Sequence, residues 1–160
     1  MRRKRRLTVL VTVMAVISVL LSSCSSETNS ILTGSFRVRD GASDIEAPFE
    51  SDTLTIGQKG SGECIESFSI ALNAPDGKDV SIAYRGHVQD ADWVGWMLSG
   101  SNLYYVQLYG IDAVQFTLLG KDDFMYDLSY RIAIVGEDWQ DWVYNGELAG
   151  YLMSIADRSY

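Results

Sequence analysis

Tyr84-Arg85-Gly86-His87-Val88-Gln89-Asp90 leads, across Ala91 and Asp92, into Trp93-Val94-Gly95-Trp96. Forty-six residues later the pattern returns as Tyr130-Arg131, then Trp139-Gln140-Asp141-Trp142. All four Trp of the chain fall in these two W-x-x-W pairs. The same offset relates Val88 to Ile134, Asp92 to Asp138 and Gly100 to Gly146. It carries Ile65-Glu66-Ser67-Phe68-Ser69-Ile70-Ala71-Leu72 onto Ile111-Asp112-Ala113-Val114-Gln115-Phe116-Thr117-Leu118, and Asp76 onto Asp122. A fixed period of this size marks a repeat architecture. The copies run over about 34–78, 80–122 and 126–160; the first lacks Trp, and the third stops before its last strand is complete.

Inside a copy the period is two, which is the period of a strand. Ile82, Tyr84, Gly86 and Val88 alternate with Ala83, Arg85, His87 and Gln89, and Leu128, Tyr130, Ile132 and Ile134 repeat the apolar face. Phe68, Ile70 and Leu72 line one face of a later strand, as do Val114, Phe116 and Leu118. Asp76-Gly77 and Asn145-Gly146 are turn signals. The expectation is an all-β domain of three ~46-residue repeats, closed as a pseudo-threefold β-prism or β-trefoil-like unit. Closure would also remove sheet edges.

With 47% apolar residues in 160, the chain has enough to bury a core. The net charge of −8 conceals a split, because Arg2, Arg3, Lys4, Arg5 and Arg6 hold five of the 13 basic residues. Without residues 1–23, 8 basic and 21 acidic residues remain, a balance of −13. Such a chain repels phosphate backbones, which excludes nucleic acid as a partner. Two Cys and one His exclude a Cys-rich zinc site and a His-rich metal site, so neither metal nor cofactor is expected.

After the basic block, Leu7–Leu21 is almost wholly apolar over 15 residues, short of the ~20 a membrane span needs. Basic then apolar is the order of a secretory signal, expected as a helical segment that is removed. Leu21-Ser22-Ser23-Cys24 resembles the bacterial lipobox. In that family the Cys thiol is diacylated and the signal is cut just before it. The resemblance implies a lipoprotein signal peptide over 1–23, lipid attachment at Cys24 and a membrane anchored by two acyl chains. A flexible tether over 24–33 and the repeat domain over 34–160 would follow, on the extracellular face of the cytoplasmic membrane.

The repeat itself resembles the clostridial hydrophobic W (ChW) repeat. The resemblance rests on Tyr84-Arg85, His87-Val88-Gln89, Trp93-x-x-Trp96, Gly100 and the Ile111–Leu118 strand, with Tyr130-Arg131, Trp139-x-x-Trp142 and Asn145-Gly146-Glu147-Leu148-Ala149-Gly150 in the third copy. It implies a surface protein of a Gram-positive bacterium that serves in binding or adhesion, its ligand a carbohydrate, a cell-wall component or a partner protein. His-Val-Gln becomes Ala133-Ile134-Val135 in the third copy, and Asp92 stands where the family usually has Gly. One working site is therefore expected rather than three. The alternatives are a small cell-wall or polysaccharide hydrolase and a purely structural subunit.

The candidate ligand contacts are Trp93, Trp96, Trp139, Trp142, Tyr84, Arg85, His87 and Gln89. Exposed indole faces stack on sugars or enter partner pockets. The plainer reading is that a Trp kept in register packs the core where copies meet. In an extended strand, residues three apart point to opposite faces, so one Trp of each pair is expected inside and one outside. Arg85, His87 and Gln89 share a polar strand face. No nucleophile stands in a motif around His87, and no catalytic residue is assigned. Glu137, Asp138 and Asp141 read as a solvated acidic turn, and Gly57-Gln58-Lys59-Gly60-Ser61-Gly62 as a loop without the order of a phosphate cradle. Cys64 reads as a small core residue or a thiol outside any disulfide.

Overall fold

Phe68, Tyr84, Phe116 and Tyr130 meet at the centre of the protein. Their rings lie 5.4 Å (Phe68–Tyr84), 5.7 Å (Tyr84–Phe116) and 5.0 Å (Phe116–Tyr130) apart between centroids. These four come from all three expected copies, so a single core serves the whole chain. Each fully buried large side chain stabilises the fold by roughly 1.5–3 kcal/mol.

A computed structural model describes residues 5–10, 20–21, 32–38, 45–46, 49–50, 53–62, 64–74, 77–89, 91–104 and 110–152. Its strands are β1 (Arg5–Leu10), β2 (Leu20–Leu21), β3 (Leu32–Val38), β4 (Ile45–Glu46), β5 (Phe49–Glu50), β6 (Thr53–Thr55) and β7 (Ile65–Leu72). They continue with β8 (Ser81–Val88), β9 (Met97–Leu98), β10 (Leu103–Tyr104), β11 (Ile111–Leu119), β12 (Tyr126–Tyr130), β13 (Val143–Tyr144) and β14 (Ala149–Gly150). The protein is all-β; its only helical turn among the described residues is the short 3-10 segment Asp123–Met125. None of the described helices is long and apolar enough to cross a membrane.

Three sheets form. Their orders are β10-β7-β3-β4, β14-β11-β8-β9 and β13-β12-β1-β6-β5, with β2 on β1 in the last. Two long antiparallel pairs dominate, β3 with β7 and β8 with β11. The short strands cross copy boundaries: Leu103 of the second copy pairs with Phe68 of the first, and Ala149 of the third pairs with Val114 of the second.

The 46-residue period is written into the backbone. Gly100 N–H donates to Ile70 O at 2.8 Å and Gly146 N–H to Phe116 O at 2.7 Å. Val94 N–H donates to Gly86 O at 2.8 Å and Gln140 N–H to Ile132 O at 2.9 Å. Leu72 N–H meets Ser99 Oγ at 2.9 Å, and Leu118 N–H meets Asn145 Oδ1 at 2.7 Å. The expected apolar faces are inside: Ile82, Tyr84, Val88, Phe68, Ile70, Phe116, Leu118, Leu128, Tyr130 and Ile132 are all buried.

Two expectations are corrected. Arg5–Leu10 belongs to no helix: it is a strand parallel to both β12 and β6, with Leu7 opposite Leu128 and Val9 opposite Leu54. Thr8 and Val9 are β-branched and suit a strand, and the sheet supplies ladder partners on both sides. The domain also starts earlier than residue 34, because Leu32 opens β3 and is 1% exposed. Cys24 and residues 22–31 and 153–160 lie outside the described residues.

Candidate functional site

Each W-x-x-W pair closes on one arginine. Arg85 Cζ lies 4.2 Å from the centroid of the Trp93 ring and 4.9 Å from that of Trp96. Arg131 Cζ lies 4.8 Å from Trp139 and 4.6 Å from Trp142. A guanidinium over an indole face is attracted by the ring quadrupole. The two stacks are equivalent under the 46-residue shift.

The expectation of opposite faces therefore fails. Its premise was a regular strand, and the chain between Trp93 and Trp96 is not one. Ala91 N–H donates to Val88 O at 3.0 Å, reversing the chain after β8, and His87 and Trp93 form an isolated bridge. Residues 94–96 then leave the pleat. Val94 and Met97 pack against the core while Trp93 and Trp96 face Arg85, a spacing of three on both sides. No Trp lies in the buried core, which corrects the packing expectation; Trp96 is 46% exposed and the other three are half-buried.

In the second copy the stack is braced. Arg85 Nε donates to Gln115 Oε1 at 2.7 Å from the facing position on β11. Gln115 Nε2 donates to Gly146 O at 3.1 Å, tying the stack to the third copy. Asp92 Oδ1 accepts from Trp93 N–H at 2.7 Å, as Asp138 Oδ1 does from Trp139 N–H at 2.7 Å. His87 is not on an exposed polar face. It is buried, with Nδ1 2.6 Å from Asp112 Oδ1 and its ring edge-on to Trp93 at 5.5 Å. A buried carboxylate fixes the orientation of this imidazole and of the indole beside it. Gln89 is half-buried after β8.

Tyr84 is completely buried, which removes it from the ligand contacts. Its hydroxyl accepts from Ile70 N–H at 3.0 Å and donates to Ser101 O. Tyr130 repeats this with the Phe116 backbone and Glu147 O. Burial pushes both phenols above their usual range, and at Tyr130 the Glu147 carboxylate adds a smaller push in the same direction.

The third copy is arranged differently. Burial lowers the Arg131 pKa, and Asp138 partly opposes this. Asp138 is held below the usual carboxylate range chiefly by the hydrogen bond from Lys59, then by Trp139 N–H. Lys59 lies in the glycine-rich loop, and the ion pair fastens that loop across the third copy. Lys59, Gly60 and Gly62 with Ala133–Glu137 line a shallow cleft of 260 Å³. Glu137 and Asp141 are exposed, and Cys64 is buried. Among the described residues no cluster of three or more His, Cys, Asp or Glu is disposed to hold a metal.

Sequence reading missed Gln115, Asp112 and Lys59. The signal for Gln115 was the cross-strand register, which sets it opposite Arg85. The signal for Asp92 and Asp138 was present, since each precedes the first Trp of its pair at the common offset. In comparisons with protein-family models, curated proteins and solved structures, nothing matches the chain.

Proposed function

We propose that this chain is a lipid-anchored protein of the bacterial surface, held at Cys24, whose repeat domain is a non-enzymatic binding module of the ChW type. Its ligand is a carbohydrate, a cell-wall component or a partner protein. The observation that carries the reading is the pair of Trp–Arg–Trp stacks set outside the core. Aromatic rings kept out of a core that already holds six other rings are surface chemistry. Trp and Arg are the residue types that dominate binding hot spots, and the outer face of a half-buried indole stacks on a sugar ring or a partner side chain. The second copy, with Gln115 bracing Arg85 and Trp96 open to solvent, is the proposed working site. The three separate sheets support the β-prism over the trefoil as the arrangement of the copies.

The test is a binding screen of the purified protein against cell-wall preparations and surface polysaccharides, with Trp96→Ala alongside. Binding that weakens about tenfold or more in Trp96→Ala, without turnover of the ligand, is the expected result. Turnover of any bound polysaccharide would replace the binding module with a hydrolase. Retention of metabolically incorporated acyl label by Cys24→Ala would remove the anchor.

A further inference from the structure

Arg85 is fixed on several sides and open on one. Its Nε–H is taken by Gln115 Oε1 at 2.7 Å. Its guanidinium lies against the indoles of Trp93 and Trp96, 4.2 and 4.9 Å from their centroids. A guanidinium carries donors on all three nitrogens. Those on the two terminal nitrogens of Arg85 have no acceptor among the described residues.

The surroundings hold this fork still. Gln115 is tied to Gly146 O at 3.1 Å, and Gly146 N–H donates to the backbone of the fully buried Phe116 at 2.7 Å, so the brace ends on the core. Trp93 is set by His87, edge-on at 5.5 Å, whose Nδ1 lies 2.6 Å from the buried Asp112 carboxylate. Trp96, 46% exposed, stands open to solvent beside the same guanidinium. A side chain whose rotamers are already fixed loses little entropy when it binds. Its planar edge matches the two oxygens of a carboxylate.

The local charge narrows the ligand further. Asp92 is exposed beside Trp93, with its carboxylate on the Trp93 N–H at 2.7 Å. Repulsion from such a charge falls hardest on a run of phosphates or sulfates and least on one isolated carboxylate. The third copy is less suited, because Arg131 Nε is buried without a partner and Asp138 already supplies a negative charge to that guanidinium.

We propose that the stack of the second copy recognises an acidic sugar, a pyranose bearing a single carboxylate. The carboxylate accepts two parallel hydrogen bonds from the terminal nitrogens of Arg85, and the C–H face of the same ring lies on Trp96. A uronic acid joins a flat apolar face and a carboxylate in one rigid unit, the same pairing that Trp96 and Arg85 offer side by side. An acidic peptide side chain carries no such face. This specificity rests on the second copy being the binding site, as proposed above.

The test is titration of the isotope-labelled full-length protein with methyl glucuronoside, its neutral glucuronamide counterpart and methyl glucoside, followed by NMR at the Trp indole and Arg side-chain N–H resonances. The glucuronoside is expected to shift the Trp96 and Arg85 resonances. It should bind about tenfold more tightly than the amide or the glucoside, the effect of one charge-assisted hydrogen bond, and added salt should narrow the gap. In Arg85→Gln the acid and the amide should bind alike. If that variant does not fold, Gln115→Leu replaces it: the fork is kept but loosened, and the preference for the acid should shrink. Equal affinity of acid and amide for the wild type, a preference unchanged in the variant, or binding of a Glu-containing peptide in place of the glucuronoside would overturn the proposal. If cell-wall preparations bind through Trp96 while the glucuronoside does not, the carboxylate specificity falls and the binding module stands. If Trp96→Ala leaves the glucuronoside affinity unchanged, the stack is not the site and both fall.

Discussion

Tyr84 and Tyr130, 46 residues apart, close the same junction in successive copies: each hydroxyl bridges a backbone N–H of the preceding copy, Ile70 or Phe116, and a carbonyl 17 residues ahead, Ser101 or Glu147. The phenol is thus a bolt between neighbours, and its ring fills the core beside it. Tyr84→Phe and Tyr130→Phe keep the ring and remove the bolt. Each should cost about 1–3 kcal/mol, because the buried N–H of Ile70 or Phe116 is left unmet. Urea denaturation of both variants checks this; a cost near zero in both would show the junction to be idle.

The same phenols set an alkaline limit. Their folded-state pKa values lie above the 10.0 of an ordinary phenol, since burial opposes the phenolate. Below pH 10 both states are neutral and the stability is intact. As pH rises above 10 the unfolded chain ionises first, so stability falls progressively until the folded pKa is passed. The slope of unfolding free energy against pH over this range should be shallower in Tyr130→Phe than in wild type. Equal slopes would show that Tyr130 does not carry it.

The Trp stacks should separate binding from folding. Trp96→Ala removes a ring that is 46% exposed and lies over Arg85, so it should cost under about 1 kcal/mol of stability. Phe116→Ala, in the central aromatic cluster, should cost about 3–5 kcal/mol. Acrylamide should quench Trp96 most readily, read in a variant that keeps it as the sole Trp. A Trp96→Ala loss as large as that of Phe116→Ala would make the stack part of the core.

Two glycines make a matched pair for backbone strain. Both have positive φ, +106° at Gly150 and +82° at Gly146. A Cβ on Gly150 would lie 2.2 Å from Asp112 O, whereas one on Gly146 meets nothing within 4 Å. Gly146→Ala should therefore cost only the ~1–2 kcal/mol of a left-handed residue. Gly150→Ala must also push β14 off β11 and should cost more than about 3 kcal/mol. Equal melting temperatures for the two variants would contradict this.

The strands and the buried faces were legible because they depend on spacing alone. Phe116 and Tyr130 read as inward-facing from a period of two, and they are inside. The Trp pairs were misread because the rule for strand faces was applied where the chain leaves the pleat. Only the Ala91–Val88 turn and the Val94–Gly86 bond bring both rings to one side. His87 was misread for a related reason: alternation gives one buried face, but β8 is buried on both faces at that point, and Asp112, in the bulge of β11, reaches the imidazole. Leader composition signalled a helix, yet Thr8 and Val9 serve a strand equally well once two edges are offered.

The pairing of Leu103 with Phe68 and of Ala149 with Val114 has a consequence for how such a chain changes over generations. The segment that recurs in the sequence and the segment that forms a sheet are out of phase by one short strand. Unequal crossing-over that adds or drops a 46-codon unit would reassign an edge strand in each neighbouring sheet, so copy number is resistant to stepwise change.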